Sequence, residues 1–260
     1  MFVHHRTSGF ILKKIDRRET DQLLTIYTKD FGKLEILAKA VRKIFSKLKS
    51  GAEIFYLSEI EFIQGKTRKT LTDAILIEKF ENLRKDLKRI KIAYKISEFL
   101  DNLISGQEPD EKIWRLLNEV FDKLNNLKLE IKNWKPEIFY YYFIWNLLSV
   151  LGYEPELYNC VLCQKKLALG KLFLNSKEGG IICHSCQKSV KSTKLRSARE
   201  IGQWSKEIKP ETIKILRILL KRDWLTLKRL KIEAKDLNFL KIISDCFVSG
   251  ITPVLEKNQK

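Results

Sequence analysis

Four cysteines form the one group in this chain whose type and spacing could do chemistry. Two residues lie between Cys160 and Cys163, 19 residues follow, and Cys183 and Cys186 repeat the spacing. A Cys-x2-Cys pair folds into a tight knuckle that aims two thiolates at one point. Two knuckles supply the tetrahedral sulfur shell that zinc prefers, and four protein ligands leave no open coordination position. The expectation is one structural Zn2+ ion. His184, inside the second knuckle, is an alternative ligand, but beside a full set of thiolates it reads as a solvent-exposed neighbour; Cys246 reads as a small buried hydrophobe on an apolar helix.

Further chemistry lacks a constellation. The three histidines are His4 and His5, which read as a frayed start, and His184 in the knuckle. No glycine-rich phosphate loop, no Gly-x-Ser-x-Gly and no clustered acidic site is present, and Asp30 and Asp73 read as turn or strand residues. The chain therefore reads as a binding protein without catalytic residues.

What it binds is suggested by charge. Lysine and arginine outnumber acids 50 to 32, for a net charge of +18. Such self-repulsion points to a polyanionic partner. The excess is uneven: +6 over residues 1–80, −1 over 81–159, +4 over 160–190 and +9 over 191–260. No acid lies between Ile36 and Ala52, where Lys39, Arg42, Lys43, Lys47 and Lys49 fall; Lys66, Arg68 and Lys69 form a second cluster. Both suit consecutive phosphates, with Phe45 or Phe55 available to stack a base. A third cluster, Arg217, Lys221, Arg222, Lys228, Arg229 and Lys231, lies on the C-terminal helices and suits DNA or an acidic peptide tail.

The elements that must position these groups come in two kinds. Residues 1–80 read as five short strands: Gly9–Ile15, Gln22–Thr28, Lys33–Lys39, Ile54–Ile63 and Leu71–Ile77, with turns at Lys29–Gly32 and Gln64–Thr70. Five strands suit a small closed barrel, OB-fold-like or, by strand count alone, SH3-like. Beyond Glu78 the apolar period becomes helical, in one run from Leu83 to Leu103 and another from Ile113 to Leu124. A third helix has Pro136 in its first turn and Gly152 at its end. Its apolar stretch, Ile138–Leu151, is too short for a bilayer, which takes ~20 residues. Its tyrosines and Trp145 read as core. Leu172–Leu174 and the Gly179-Gly180 turn suggest a hairpin between the knuckles. Helices resume at Pro210 and at Ala234–Val248, and Val254–Lys260 reads as a frayed tail. The fold class is α+β: a barrel at 1–80 and a helical domain at 81–260 carrying a zinc module at about 158–190. The opening residues lack a signal-peptide pattern, so a cytoplasmic protein is expected.

Gly9-Phe10-Ile11-Leu12, Asp21-Gln22-Leu23-Leu24, Tyr27-Thr28, Gly32-Lys33, Ala38-Lys39-Ala40-Val41-Arg42-Lys43 and Ser46 resemble the opening of the bacterial RecO recombination-mediator family. The order of parts, barrel, helical domain, four-cysteine module and final helices, is similar too. Ala40 stands where the family commonly has glycine, and Ile54 where proline often precedes the phenylalanine. The resemblance implies a nucleoid-associated DNA repair protein that binds single-stranded and duplex DNA and anneals complementary strands. It also implies work with RecR to help RecA replace single-strand-binding protein. On that reading the first two basic clusters hold phosphates, and Arg217, Lys221 and Arg222 receive the acidic tail of single-strand-binding protein. The alternatives are a zinc-containing nucleic-acid enzyme and a sequence-specific DNA-binding regulator.

Overall fold

A computed structural model describes residues 3–126, 135–168, 170–192 and 204–258. Two compact units result, residues 1–128 and 129–260.

In the first unit, alternation of apolar and polar residues builds β1 (Val3–Arg17), β2 (Asp21–Thr28), β3 (Gly32–Ala38), β4 (Leu57–Gln64) and β5 (Lys69–Glu78). They close into a barrel in the order β1-β2-β3-β5-β4, the expected OB-fold-like architecture. All pairs are antiparallel except β3 with β5, which meet only at Ile36–Lys69 and Leu37–Thr70. β1 is long enough to pair with both β2 and β4, and a bulge at Leu12 bends it between them. Ile11, Leu24, Ile26, Leu34, Ile36, Ile60 and Phe62 fill the interior.

Three expectations fail here. β4 starts at Leu57, not Ile54, because Phe55 adopts a left-handed backbone (φ +62°) and exchanges no ladder bond with β5. Its amide donates to the Ile11 carbonyl at 2.8 Å, and its ring is buried against Tyr94 and Phe121, so it is not free to stack a base. His4 and His5 are not frayed. They pair with Ile63 and Phe62, and the His5 ring stacks on Phe62 at 5.1 Å.

Three helices complete this unit: α1 (Glu81–Lys85), α2 (Leu87–Leu103) and α3 (Glu111–Asn126). The run expected as one helix breaks at Asp86, whose extended backbone lets its carboxylate accept from the amides of Lys88 and Arg89. Phe10, on β1, packs its ring against Phe80, Trp114 and Phe121 at 5.2–6.0 Å, which joins the helices to the barrel. Strand gives way to helix near residue 80, whereas the compact units divide one helical hairpin later.

The second unit is built around α4 (Glu137–Val150), of which ten residues are buried. Trp145 and Tyr142 lie inside, and the Trp145 indole donates to Ser244 Oγ at 3.0 Å. Around α4 lie α6 (Pro210–Leu220), α7 (Trp224–Arg229) and α8 (Ala234–Asn258). α8 runs through the residues expected as a frayed tail as far as Asn258. The hairpin between the knuckles is β6 (Leu172–Asn175) with β7 (Gly180–Cys183), followed by α5 (His184–Ser192). An unexpected strand, β8 (Ser205–Ile208), adds to the free edge of β6. Among the described residues no helix is long and apolar enough to cross a membrane.

Candidate metal centre and nucleic-acid interface

The metal centre grows from the hairpin. Cys183 ends β7 and Cys186 sits in the first turn of α5. The other knuckle is a turn after residue 155, held by the Gln164 amide on the Cys160 carbonyl at 2.8 Å, with Gln164 at φ +58°. This segment is bound to β7 by Val161 N–H to the Ile181 carbonyl and Ile181 N–H to the Glu156 carbonyl, both at 2.9 Å. Gly180 permits that approach: a Cβ there would lie 2.6 Å from Val161 Cγ1 and 2.7 Å from the Glu156 oxygen.

The result is convergence. The sulfurs of Cys160, Cys163, Cys183 and Cys186 lie within 4.8 Å of one another, and Cys163 and Cys183 are 3.9 Å apart. A tetrahedron with metal–sulfur bonds of about 2.3 Å has edges of about 3.8 Å, so the donor set fits a four-thiolate ion. Burial by itself raises the Cys160 thiol, but the amides of Cys183, Cys163 and Leu162 outweigh it and bring it to about 6. Burial and the neighbouring thiols push Cys186 up instead. Four sulfurs this close cannot all ionise without a cation among them. His184 stays outside the set, exposed, with its ring over Phe173 at 6.4 Å. Cys246 is half-buried on α8, and burial raises its thiol.

The basic residues occupy distinct places. The loop after β3 carries Lys39, Arg42 and Lys43 exposed, then Ile44 and Phe45 at 85% and 95% exposure. It docks on the β1–β2 turn: the Ala40 amide donates to Asp21 at 2.8 Å and the Arg42 amide to the Thr20 carbonyl at 3.0 Å. That contact places the turn that follows exposed Arg17 and Arg18 against the loop that carries Lys39, Arg42 and Lys43, a link the one-dimensional charge pattern does not display. A hairpin turn at residues 18–20 was the available signal. Arg42 also pairs with Asp16 at 3.2 Å on an open surface. Lys47 and Lys49 follow on a 3-10 turn against β5. Gly51 allows that wrap, since a Cβ there would overlap the Ala74 carbonyl.

The second cluster lies elsewhere on the seam. β5 begins with Lys69 opposite Ile36, so Lys66 and Arg68 leave toward the Gly32 end and Lys39 leaves from the Ala38 end. At about 3.3 Å per residue the two groups are roughly 15–20 Å apart along the strands. Lys69 is half-buried and donates to Gln107 at 3.0 Å.

In the second unit, Arg217 donates to the Leu157 carbonyl and lies 4.4 Å from the Tyr158 ring centre, with Lys221 at 5.9 Å from the same ring. Arg222 turns toward Asn146 Oδ1 at 2.9 Å. Lys221 is exposed; Arg229 and Lys231 are exposed as well, and the Lys228 side chain lies outside the described residues.

Comparison with known proteins agrees with this anatomy. Residues 1–80 match the family model "Recombination protein O N terminal" and residues 84–250 match "Recombination protein O C terminal". The chain is 32% identical over 229 residues to the DNA repair protein RecO of Moorella thermoacetica, covering 88% of this chain and 79% of that one. It is 29% identical over 255 residues to the DNA repair protein RecO of Dehalococcoides mccartyi, covering 98% and 92%. With both family models matched across nearly its whole length, on a closed five-stranded barrel followed by helices, the chain belongs to the RecO family of DNA repair proteins.

Proposed function

We propose that this protein is a recombination mediator that binds single-stranded and duplex DNA and anneals complementary strands. With RecR it would help RecA load onto DNA coated by single-strand-binding protein, in the bacterial cytoplasm at the nucleoid. The observation that carries this reading is the acid-free loop after β3, which offers Lys39, Arg42 and Lys43, docks on the turn that follows Arg17 and Arg18, and holds the Phe45 ring bare at its tip. Cations neutralise successive phosphates, and an exposed ring takes a base face without regard to sequence. Lys47, Lys49, Lys66, Arg68 and Lys69 extend the phosphate track along the seam. Annealing needs no covalent step: screening two strands on one basic surface lowers their repulsion until bases pair.

Cys160, Cys163, Cys183 and Cys186 would hold one Zn2+, which fixes the two knuckles together. The chain's own residues do the rest: Gly180 admits the close approach and the amides of Cys183, Cys163 and Leu162 steady the Cys160 sulfur. Arg217, Lys221 and Arg222 would receive the acidic tail of single-strand-binding protein. Of these Lys221 is the exposed cation with the fewest contacts inside the fold, and Arg217 retains further donors beyond those on Leu157.

The test follows duplex formation from two complementary labelled strands, bare or coated with single-strand-binding protein, without nucleotide. Acceleration that disappears in the Arg42→Ala, Lys43→Ala, Arg68→Ala, Lys69→Ala variant is the expected result. Tight, salt-sensitive binding without acceleration would replace this reading with a regulator or an enzyme.

A further inference from the structure

The first unit also contains a cavity of about 480 Å³ between β1 and α2. That is within the size range of small-ligand sites. Leu12 and Ile54 give it apolar walls. Its α2 side presents Tyr94, Ser97, Glu98 and Asn102, which share one helical face by their spacing. The Tyr94 ring is 49% exposed and is backed edge-on by Phe55 at 4.7 Å. Phe55 owes that position to its left-handed backbone, a strained conformation of the kind that collects at binding sites.

The polar groups define what the cavity can take. Ser97 is 3% exposed, and its hydroxyl oxygen has no hydrogen-bond partner. Among the described residues the exposed Glu98 carboxylate has no ion pair. The bulge at Leu12 brings consecutive lysines to the same cavity, but the charge of each is already balanced by a carboxylate: Lys13 by Asp101 at 3.1 Å and Lys14 by Glu53 at 2.9 Å. That balance leaves Glu98 as the carboxylate of the lining without a cation paired to it among the described residues. The open capacity is an aromatic face, a carboxylate, a hydroxyl and an amide around an apolar floor, which is complementary to a cation on an alkyl chain.

We propose that this cavity is a recognition pocket for an alkyl-guanidinium or alkylammonium group, whether presented by a basic side chain of a protein partner or by a free polyamine. The alkyl chain lies along Leu12 and Ile54, and the charged head sits against the Tyr94 ring with Glu98, Ser97 and Asn102 accepting its protons. The lining of the pocket shares no residue with the proposed phosphate track, so a failure here leaves the annealing reading untouched.

The full-length, metal-loaded protein, labelled with 15N, is titrated with agmatine, with spermidine, with an acetylated and amidated Gly-Arg-Gly peptide, and with neutral N-butylurea. The expected result is saturable shifts of the amides of residues 94–102 with the cations and none with the urea. Glu98→Gln and Tyr94→Leu should each weaken agmatine by about fivefold; both positions are solvent-exposed, and an unchanged amide spectrum elsewhere verifies the fold. A peptide that binds more tightly than spermidine identifies a side-chain ligand, and the reverse order identifies a polyamine. Unresponsive amides, an equal response to the urea, or wild-type agmatine affinity in Glu98→Gln would overturn the proposal.

Discussion

The Arg217 guanidinium lies 4.4 Å from the centre of the Tyr158 ring and donates to the Leu157 carbonyl, so α6 is fastened to the segment that leads into Cys160. Replacing Arg217 with alanine removes a cation–π contact and leaves the carbonyl of buried Leu157 without these donors. A loss of about 1–2 kcal/mol is expected in chemical denaturation. Arg217→Lys should recover only part of it, because an ammonium cannot match the planar fork. Since that substitution mixes fold with recognition, Lys221→Glu is the cleaner probe of tail binding. It should weaken an acidic tail peptide in a fluorescence titration while leaving DNA affinity within twofold.

Metal removal should act on stability before affinity. Four-thiolate sites contribute binding free energy directly to folding, roughly 10–16 kcal/mol in small zinc peptides at neutral pH. Chelation is therefore expected to lower the thermal midpoint by more than it lowers single-strand affinity, and elemental analysis should find one zinc per chain. Cys163→Ser, which leaves three thiolates, should lose metal at a lower chelator concentration than the wild type.

The charge at the barrel end sets a salt prediction. Each phosphate contact on a single strand contributes about 0.7 to the slope of log affinity against log salt. The Arg42→Ala, Lys43→Ala pair should flatten that slope by about 1.4, and so should Arg17→Ala with Arg18→Ala if the turn that the loop docks on joins the interface. An unchanged slope in the Arg17, Arg18 variant would remove the β1–β2 turn from the interface.

Acid should loosen the first unit through Asp101. Burial alone raises this carboxyl, but hydrogen bonds from Lys13 and Lys33 outweigh burial and hold it below its ordinary value. A carboxyl depressed in the folded state stabilises above its unfolded pKa, near 3.9, and loses that contribution as pH falls through the folded value. Stability measured by urea unfolding should fall below about pH 4 in the wild type. Asp101→Asn, which has no such titration, should show a shallower decline from a lower starting point.

Much of this was legible in one dimension because local chemistry carried it. The cysteine spacing specified both knuckles, Leu172–Leu174 with the Gly179-Gly180 turn their hairpin, and the apolar spacing of Ile113, Leu116, Leu117, Val120, Phe121 and Leu124 named the buried face of α3 residue for residue. What escaped depended on contacts between distant segments. β8 is four residues with no usable alternation, and it forms because β6 offers an edge. The break at Asp86 hides because Leu83 and Leu87 keep helical spacing across it. Phe55 reads as a strand residue until its reversed backbone and the aromatic cluster of α2 and α3 are seen together. Arg17 and Arg18 join the basic group only through pairing of residues 20 and 21 with 40 and 42.

The barrel is a ribbon with a clasp. Four of its five junctions are long ladders, and the fifth is the two residue pairs Ile36–Lys69 and Leu37–Thr70. The clasp is the least costly place to part the wall, and the amides on either side of it are the first that should exchange with solvent. Lys69 belongs to one of the clasp's two pairs. A strand lying along the seam would bridge its two sides, so nucleic acid would act as the latch, and slowed exchange at Leu37 and Thr70 would report that the latch had engaged.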